Sequence, residues 1–313
     1  MKNWFFPFLA LFVMAANPAL AGRMLLSNLD ADFHAGFDPC AFCFDPAASR
    51  AFLRTSIEWV RAGSTKPFLF VESSIIPPFR NYLNDDPAQG IDGSGAFHTR
   101  GVTGIVKSGY VEGVDFEKRD ASTLADALTK LHLYSAIVVA SDFGGVLTAD
   151  ELRVLNSFRG SIRDFLSAGG GLFAMAQTND GIGRFDPSTG LADPSLFDAH
   201  GYLLPGMGLL GSEQRWGFVP LPIESDSSYG QVDTDQVLTS FGASLGFEPW
   251  MVEGNVSHLY FRPSPYWQVV SYSSSGKIAN VAALWVPEPA TLGLCAAALS
   301  VLAFRRYQRR TAA

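Results

Sequence analysis

Glu72, Ser141, Asp142, Gln177 and Asn179 each stand close behind a short apolar run. In an open α/β sheet, ligands and chemistry gather just beyond the carboxyl ends of the strands. These five residues are therefore the first candidates for a site. The carboxylates of Glu72 and Asp142, with His258 later in the chain, are the residue types for general acid–base work on water. Ser141, Asp142, Gln177 and Asn179 offer hydrogen bonds to a bound ligand. Covalent catalysis is harder to build. Met175-Ala176-Gln177 closes one run without a thiol or a hydroxyl, and neither a thioether nor an amide makes a usable nucleophile. Thr178 and Ser141 are the nearest hydroxyls, and neither lies in the Gly-x-Ser-x-Gly context that exposes a nucleophile. For His258 the plain alternative to catalysis is a half-buried, hydrogen-bonded ring.

Cys40-Ala41-Phe42-Cys43 fits three chemistries. A local disulfide is what an oxidising compartment favours. Redox catalysis would want the pair to open a helix after a strand, whereas Asp38-Pro39 and Asp45-Pro46 mark a loop. A metal site would have to borrow Asp30, Asp32 or His34, because the third cysteine, Cys295, lies in a distant apolar run. Gly206-Met207-Gly208-Leu209-Leu210-Gly211 matches the dinucleotide fingerprint by letter. It follows a proline rather than a strand, so it reads as a glycine loop. Asp85, Asp86 and Asp92 lack the spacing of a calcium loop and read as solvated acids. Asn255-Val256-Ser257 spells a glycosylation sequon.

The elements that must position these residues follow from periodicity. Arg23–Leu26 starts a strand, and residues 49–61 form a helix with Phe52, Leu53, Ile57 and Val60 on one face. Pro67–Glu72 is a continuous apolar run, the mark of a strand covered on both faces. A further strand is expected near Gly104-Ile105-Val106. Ser122 is placed to cap a helix carrying Leu124, Leu128 and Leu131. Ala136–Asp142 is a buried strand, and Thr148-Ala149-Asp150-Glu151 a capping box. Leu152, Leu155, Phe158, Ile162, Phe165 and Leu166 continue as one helix, which Gly169-Gly170-Gly171 ends in a left-handed turn. Leu172–Ala176 is the next strand. Strand, helix and strand at these lengths imply a parallel, doubly wound sheet of flavodoxin-like topology. Residues 258–261 and 267–272 read as strands. Ser273–Gly276 turns the second of them into Lys277–Leu284, a C-terminal β-hairpin either on the same sheet or beside it. Phe143, Trp216 and Trp250 are aromatics available for stacking on a ligand.

The chain has 313 residues, 48% hydrophobic, with 23 Lys+Arg against 30 Asp+Glu and a net charge of −7. The end segments hold five of the bases and one acid, so the stretch between them is more acidic still. That balance argues against a nucleic-acid partner. No metal or organic cofactor is implied. Met1-Lys2, the apolar run Trp4–Met14 and Ala19-Leu20-Ala21 make residues 1–21 a secretory signal peptide. Residues 22–286 form the exported domain. At the far end come Pro287-Glu288-Pro289, a mostly apolar run from Leu292 to Phe304, and Arg305-Arg306-Tyr307-Gln308-Arg309-Arg310. An apolar helix closed by arginines reads as a short transmembrane anchor with its C-terminus held on the cytoplasmic side.

Residues 287–313, with tripeptide, apolar helix and Arg305, Arg306, Arg309 and Arg310 in that order, resemble the PEP-CTERM sorting signal of bacterial exported proteins. The resemblance implies recognition by a membrane exosortase, cleavage near Pro-Glu-Pro, and a final place at the cell surface or in an exopolysaccharide matrix. Residues 23–179, with Gly-Gly-Gly-Leu-Phe-Ala-Met-Ala after a helix and a Ser-Asp strand end, resemble the class I glutamine-amidotransferase-like fold and its ThuA-like relatives. Catalytic members carry a cysteine at the turn after this strand, where this chain has Met175-Ala176-Gln177. The expectation is thus a binding or structural module of the envelope. The alternative is a hydrolase that uses Glu72, Asp142 or His258.

Overall fold

The computed structural model describes residues 22–36, 45–72, 100–141, 149–175, 235–255 and 267–285, with short pieces at 215–216, 219–220, 223–224, 260–261 and 263. In chain order the elements are β1 (Gly22–Ser27), α1 (Ala31–Ala35), α2 (Pro46–Arg61), β2 (Phe68–Val71), α3 (Arg100–Lys107), β3 (Phe116–Arg119), α4 (Ala121–Leu128) and β4 (Ala136–Val139). Then come α5 (Ala149–Ser157), α6 (Arg159–Ser167), β5 (Gly171–Met175), β6 (Arg215–Trp216), β7 (Val219–Pro220), β8 (Ile223–Glu224) and β9 (Val237–Leu238). Last are α7 (Ser240–Ser244), α8 (Pro249–Glu253), β10 (Tyr260–Phe261), β11 (Gln268–Tyr272) and β12 (Ile278–Trp285).

This is an α/β protein with a mostly parallel mixed sheet. Its strands run β3-β2-β4-β5-β1-β12-β10-β8, with β11 on β12 and β9 on β11. The first five are parallel to one another. β12 joins β1 antiparallel along its whole length, so the C-terminal hairpin β11–β12 belongs to the same sheet and stands inside it rather than at its border. Alternation along β1 divides the core. Met24 and Leu26 face Leu124, Leu128, Leu155, Ile162 and Leu166 of α4, α5 and α6. Leu25 faces Phe52, Leu53 and Ile57 of α2 and Val102 and Ile105 of α3. Helices therefore cover both faces, which is why β2 and β4 are apolar without interruption.

Three local expectations change. Gly104-Ile105-Val106 lies in helix α3, not in a strand. Val102 and Ile105, three apart, bury one face of it, and the carboxylate of Glu72 accepts from its first turn. The strand of this region is β3, whose only buried residue is Phe116. α4 is capped by Asp120, whose carboxylate accepts from Ser122 and Thr123, rather than by Ser122. The long helix expected after residue 148 is two, α5 and α6, with a break at Phe158. Glu151 accepts from Ala121 N–H, 3.0 Å away at the start of α4, while Thr148 lies outside the described residues. Gly169 has the left-handed φ of 92° foreseen for the turn before β5.

Candidate functional site

The strand order reverses between β2 and β4, because the chain steps from β2 outward to β3 and then crosses to β4. Such a reversal opens a crevice at the carboxyl ends of the two strands. Glu72 directly follows β2 and Ser141 stands two residues beyond β4, so these two sequence candidates flank the crevice. Both are fully buried.

What fills the crevice is the chain itself. Asp32, on α1 beyond the end of β1, reaches across so that its Oδ2 accepts from the Ser141 backbone N–H at 2.9 Å. Its Oδ1 accepts from Phe33 N–H at 3.0 Å. From the other side the first turn of α3 arrives. Gly101 N–H donates to Glu72 Oε1 at 3.1 Å and Val102 N–H to Oε2 at 3.3 Å. A carboxylate at a helix N-terminus satisfies unpaired donors and meets the positive end of the helix dipole. Lys118 of β3 places its Nζ 3.8 Å from Glu72 Oε2. Gly101 marks where the two acids converge, since a methyl group there would overlap Glu72 Oε1 and stand 3.1 Å from Asp32 Oδ2. One turn on, a methyl group at Gly104 would overlap the carbonyl oxygen of Asp32, so α1 and α3 touch backbone to backbone.

Electrostatics at this seam are lopsided. Burial pushes Asp32 up to about 6, the charge of Asp30 adds to the rise, and the hydrogen bonds from Ser141 and Phe33 hold it down. His34 pairs with Asp30 at 3.2 Å. Burial disfavours its imidazolium, but the charges of Asp30 and Asp32 outweigh that and raise its pKa above the usual 6.5. Asp30, Asp32 and Glu72 thus face Lys118 and His34 in a dry interior. Chemically, the arrangement can hold a proton near neutral pH on Asp32 or His34. It can also accept backbone N–H groups, as it does here. Among the described residues, no group of three or more His, Cys, Asp or Glu is placed to hold a metal ion.

Of the sequence candidates, Glu72 and Ser141 converge on one seam. Asp142, Gln177, Asn179, His258, Cys40, Cys43, Phe143 and segments 1–21 and 286–313 lie outside the described residues. Asn255 is buried, accepting from Ser49 and donating to the Met251 carbonyl, so the sequon is not an open glycosylation site. Trp250 on α8 stays exposed. Among the described residues no helix is long and apolar enough to cross a membrane; Leu292–Phe304 lies outside them. Sequence reasoning passed over Asp32 and Lys118 as parts of the site. Asp32 carries a usable signal, an acid five residues past Ser27 at the end of the first apolar run, although the sequence reading draws it in only beside the cysteines. Compared with known proteins, the chain matches no family model, no curated protein and no solved structure.

Proposed function

We propose that this chain is an exported envelope protein, sorted through Pro287-Glu288-Pro289 and the Arg305–Arg310 cluster by an exosortase, and that its α/β domain binds rather than turns over. The observation that carries the second half is the use made of Glu72 and Asp32. All four carboxylate oxygens accept backbone N–H groups, and both side chains are sealed from water. A general acid or base must reach the proton it moves. These two are instead spent on holding α1 and α3 over the crevice. The fold we infer is a variant of the flavodoxin- and amidotransferase-like class. Its parallel order β3-β2-β4-β5-β1 reproduces the flavodoxin order 2-1-3-4-5 if the last strand is supplied by the first in sequence. An exopolysaccharide or another envelope component is the ligand class we favour, with Trp250 as one exposed stacking surface.

A second reading, a hydrolase, draws on Asp32, whose value of about 6 suits proton transfer near neutrality. The test is done on the protein from its exporting host. Mass spectrometry of the surface fraction should find a mature chain ending near Pro289, and Glu288→Ala should leave the uncut form in the membrane. An intact Arg309-Arg310 terminus on surface protein removes the sorting reading. Ammonia release from glutamine and hydrolysis of model esters should stay at background. Turnover that disappears in Asp32→Asn would put the hydrolase first.

A further inference from the structure

The two central strands β1 and β12 leave the fold side by side. β1 starts at Gly22, directly after Ala19-Leu20-Ala21, and β12 ends at Trp285, directly before Val286-Pro287-Glu288-Pro289. Gly22 and Trp285 are register partners, which puts their Cα atoms about 5 Å apart. Both stand at the amino edge of the parallel strands, the edge opposite Glu72, Asp32 and Ser141.

That same edge holds most of the exposed large apolar side chains among the described residues. Val111 and Val114 lie in the turn before β3, which the Phe68 N–H to Asp115 bond ties to the start of β2. Leu133 precedes β4, where Ser135 N–H donates to the Pro67 carbonyl. Leu284 is opposite Arg23 at the start of β1. These four are 51–69% exposed. The charges beside them are mixed, with Arg23, Lys66, Lys130 and His132 against Glu112, Asp115 and Asp126.

We propose that the amino edge of the sheet is the membrane-facing surface of the tethered protein. Val111, Val114, Leu133 and Leu284 rest on the lipid surface, and the carboxylate floor at the other edge points away from it. This rests on the reading of residues 287–310 as a sorting signal whose apolar run, Leu292–Phe304, enters the bilayer. The tether from Trp285 to Leu292 then spans at most about 25 Å even when fully extended. A domain held so closely by one edge presents that edge at high effective concentration to the bilayer. The occupant is the lipid surface itself and not an anionic headgroup, because the neighbouring charges nearly cancel and no basic cluster is present at this edge among the described residues.

The test uses the chain with its C-terminal run intact, purified from a host without exosortase and mixed with phosphatidylcholine vesicles carrying brominated acyl chains. Flotation comes first. With Cys40, Cys43 and Cys295 replaced by Ser, a bimane probe is placed at V114C, at L133C or, as the opposite-edge control, at S274C in the exposed β11–β12 turn. Emission should drop at 114 and 133, hold at 274, and show the same pattern when anionic lipid is added. Hydrogen exchange on the unsubstituted chain gives a second readout, with slowing at 111–115 and 131–134 on vesicles and none at 273–277. Protein that floats but is quenched equally at all three positions, or most at 274, overturns the orientation and leaves the sorting reading standing. Protein that does not float overturns both.

Discussion

The two edges of the parallel sheet are closed by different chemistry. At the amino edge the polar side chains come in matched sets. Arg61 donates to Glu58, to Ser135 and to the Lys66 carbonyl, and Tyr110 shares the Glu58 carboxylate at 2.9 Å. Burial and that carboxylate push the Tyr110 hydroxyl far above its usual range, so it stays a neutral donor. Tyr134 donates to Glu117 at 2.7 Å, and Arg119 pairs with the same carboxylate. Among the described residues of the carboxyl edge, Asp30, Asp32 and Glu72 outnumber Lys118 and His34, and backbone N–H groups make up the balance. The shifted groups at the amino edge are tyrosines pushed up and away from neutrality, whereas at the carboxyl edge Asp32 and His34 keep a proton in play. Perturbed groups of the second kind are where function concentrates, although structural networks produce them too.

The comparison breaks most visibly at the backbone contact between α1 and α3. Gly104→Ala forces a methyl group into the Asp32 carbonyl, and backbone cannot move aside as a side-chain tip can. We expect a loss of about 4 kcal/mol, at the upper end for overpacking, read as a lower urea midpoint. Next is Glu72→Ala. It strips two buried N–H groups of their acceptor and leaves Lys118 without its carboxylate. Removing one partner of a buried pair costs about 3 kcal/mol. Glu72→Gln, which keeps one acceptor oxygen, should recover part of it. A Glu72→Ala protein as stable as the parent would mean that α3 does not depend on this cap.

Asp32→Asn sharpens the contrast through pH. The folded-state value of Asp32 is raised, so between 3.8 and about 6 the folded chain keeps a proton that the unfolded chain has lost. Stability from this group is full below 3.8, falls as pH rises through the window and is flat above it. His34 is raised too, so its contribution is present below 6.5 and fades as pH climbs through its folded value. Both act in the same sense, so the contribution of these two groups to stability should grow on acidification from pH 8 to pH 4. In Asp32→Asn about 2 kcal/mol of that gain should vanish. Denaturant melts at pH 4 and pH 7 measure it. An unchanged difference would show that Asp32 takes up its proton in the folded chain as it does in the unfolded one.

How far the sequence led is clearest at α3 and at Asp32. β1, β2, β4, β5 and α2 were legible because each buries a run or a face of the right period. α3 was misread because Gly101 and Gly104 lower helix propensity, and what overrides them is tertiary. The Glu72 cap comes from 29 residues away, and the contact with Asp32 tolerates only glycine. β3 escaped because Phe-Glu-Lys-Arg at a sheet margin has neither alternation nor an apolar run. Glu72 and Ser141 were found from a rule about strand ends. The partner of Ser141 was not, since Asp32 lies 109 residues back along the chain. No period or spacing encodes that pairing.

The smallest expected effect lies at the amino edge, and it tests whether the Tyr134 pair is as indifferent to pH as the raised value of its hydroxyl implies. Tyr134→Phe removes one hydroxyl and leaves the ring in place. Glu117 is about a third exposed and keeps Arg119, so no buried charge is stranded. The loss should be about 1 kcal/mol, the net worth of one hydrogen bond to a partly solvated carboxylate. Burial and the Glu117 carboxylate push Tyr134 up to about 12, so the hydroxyl is protonated at every pH from 4 to 8. The cost should therefore be the same at pH 4.5 and pH 7.5, in contrast to Asp32→Asn. A Tyr134→Phe penalty that grows steeply between pH 5 and pH 8 would mean that the Tyr134 pair also depends on a proton taken up or lost in that window. The contrast between this pair and the Asp32 seam would then fail.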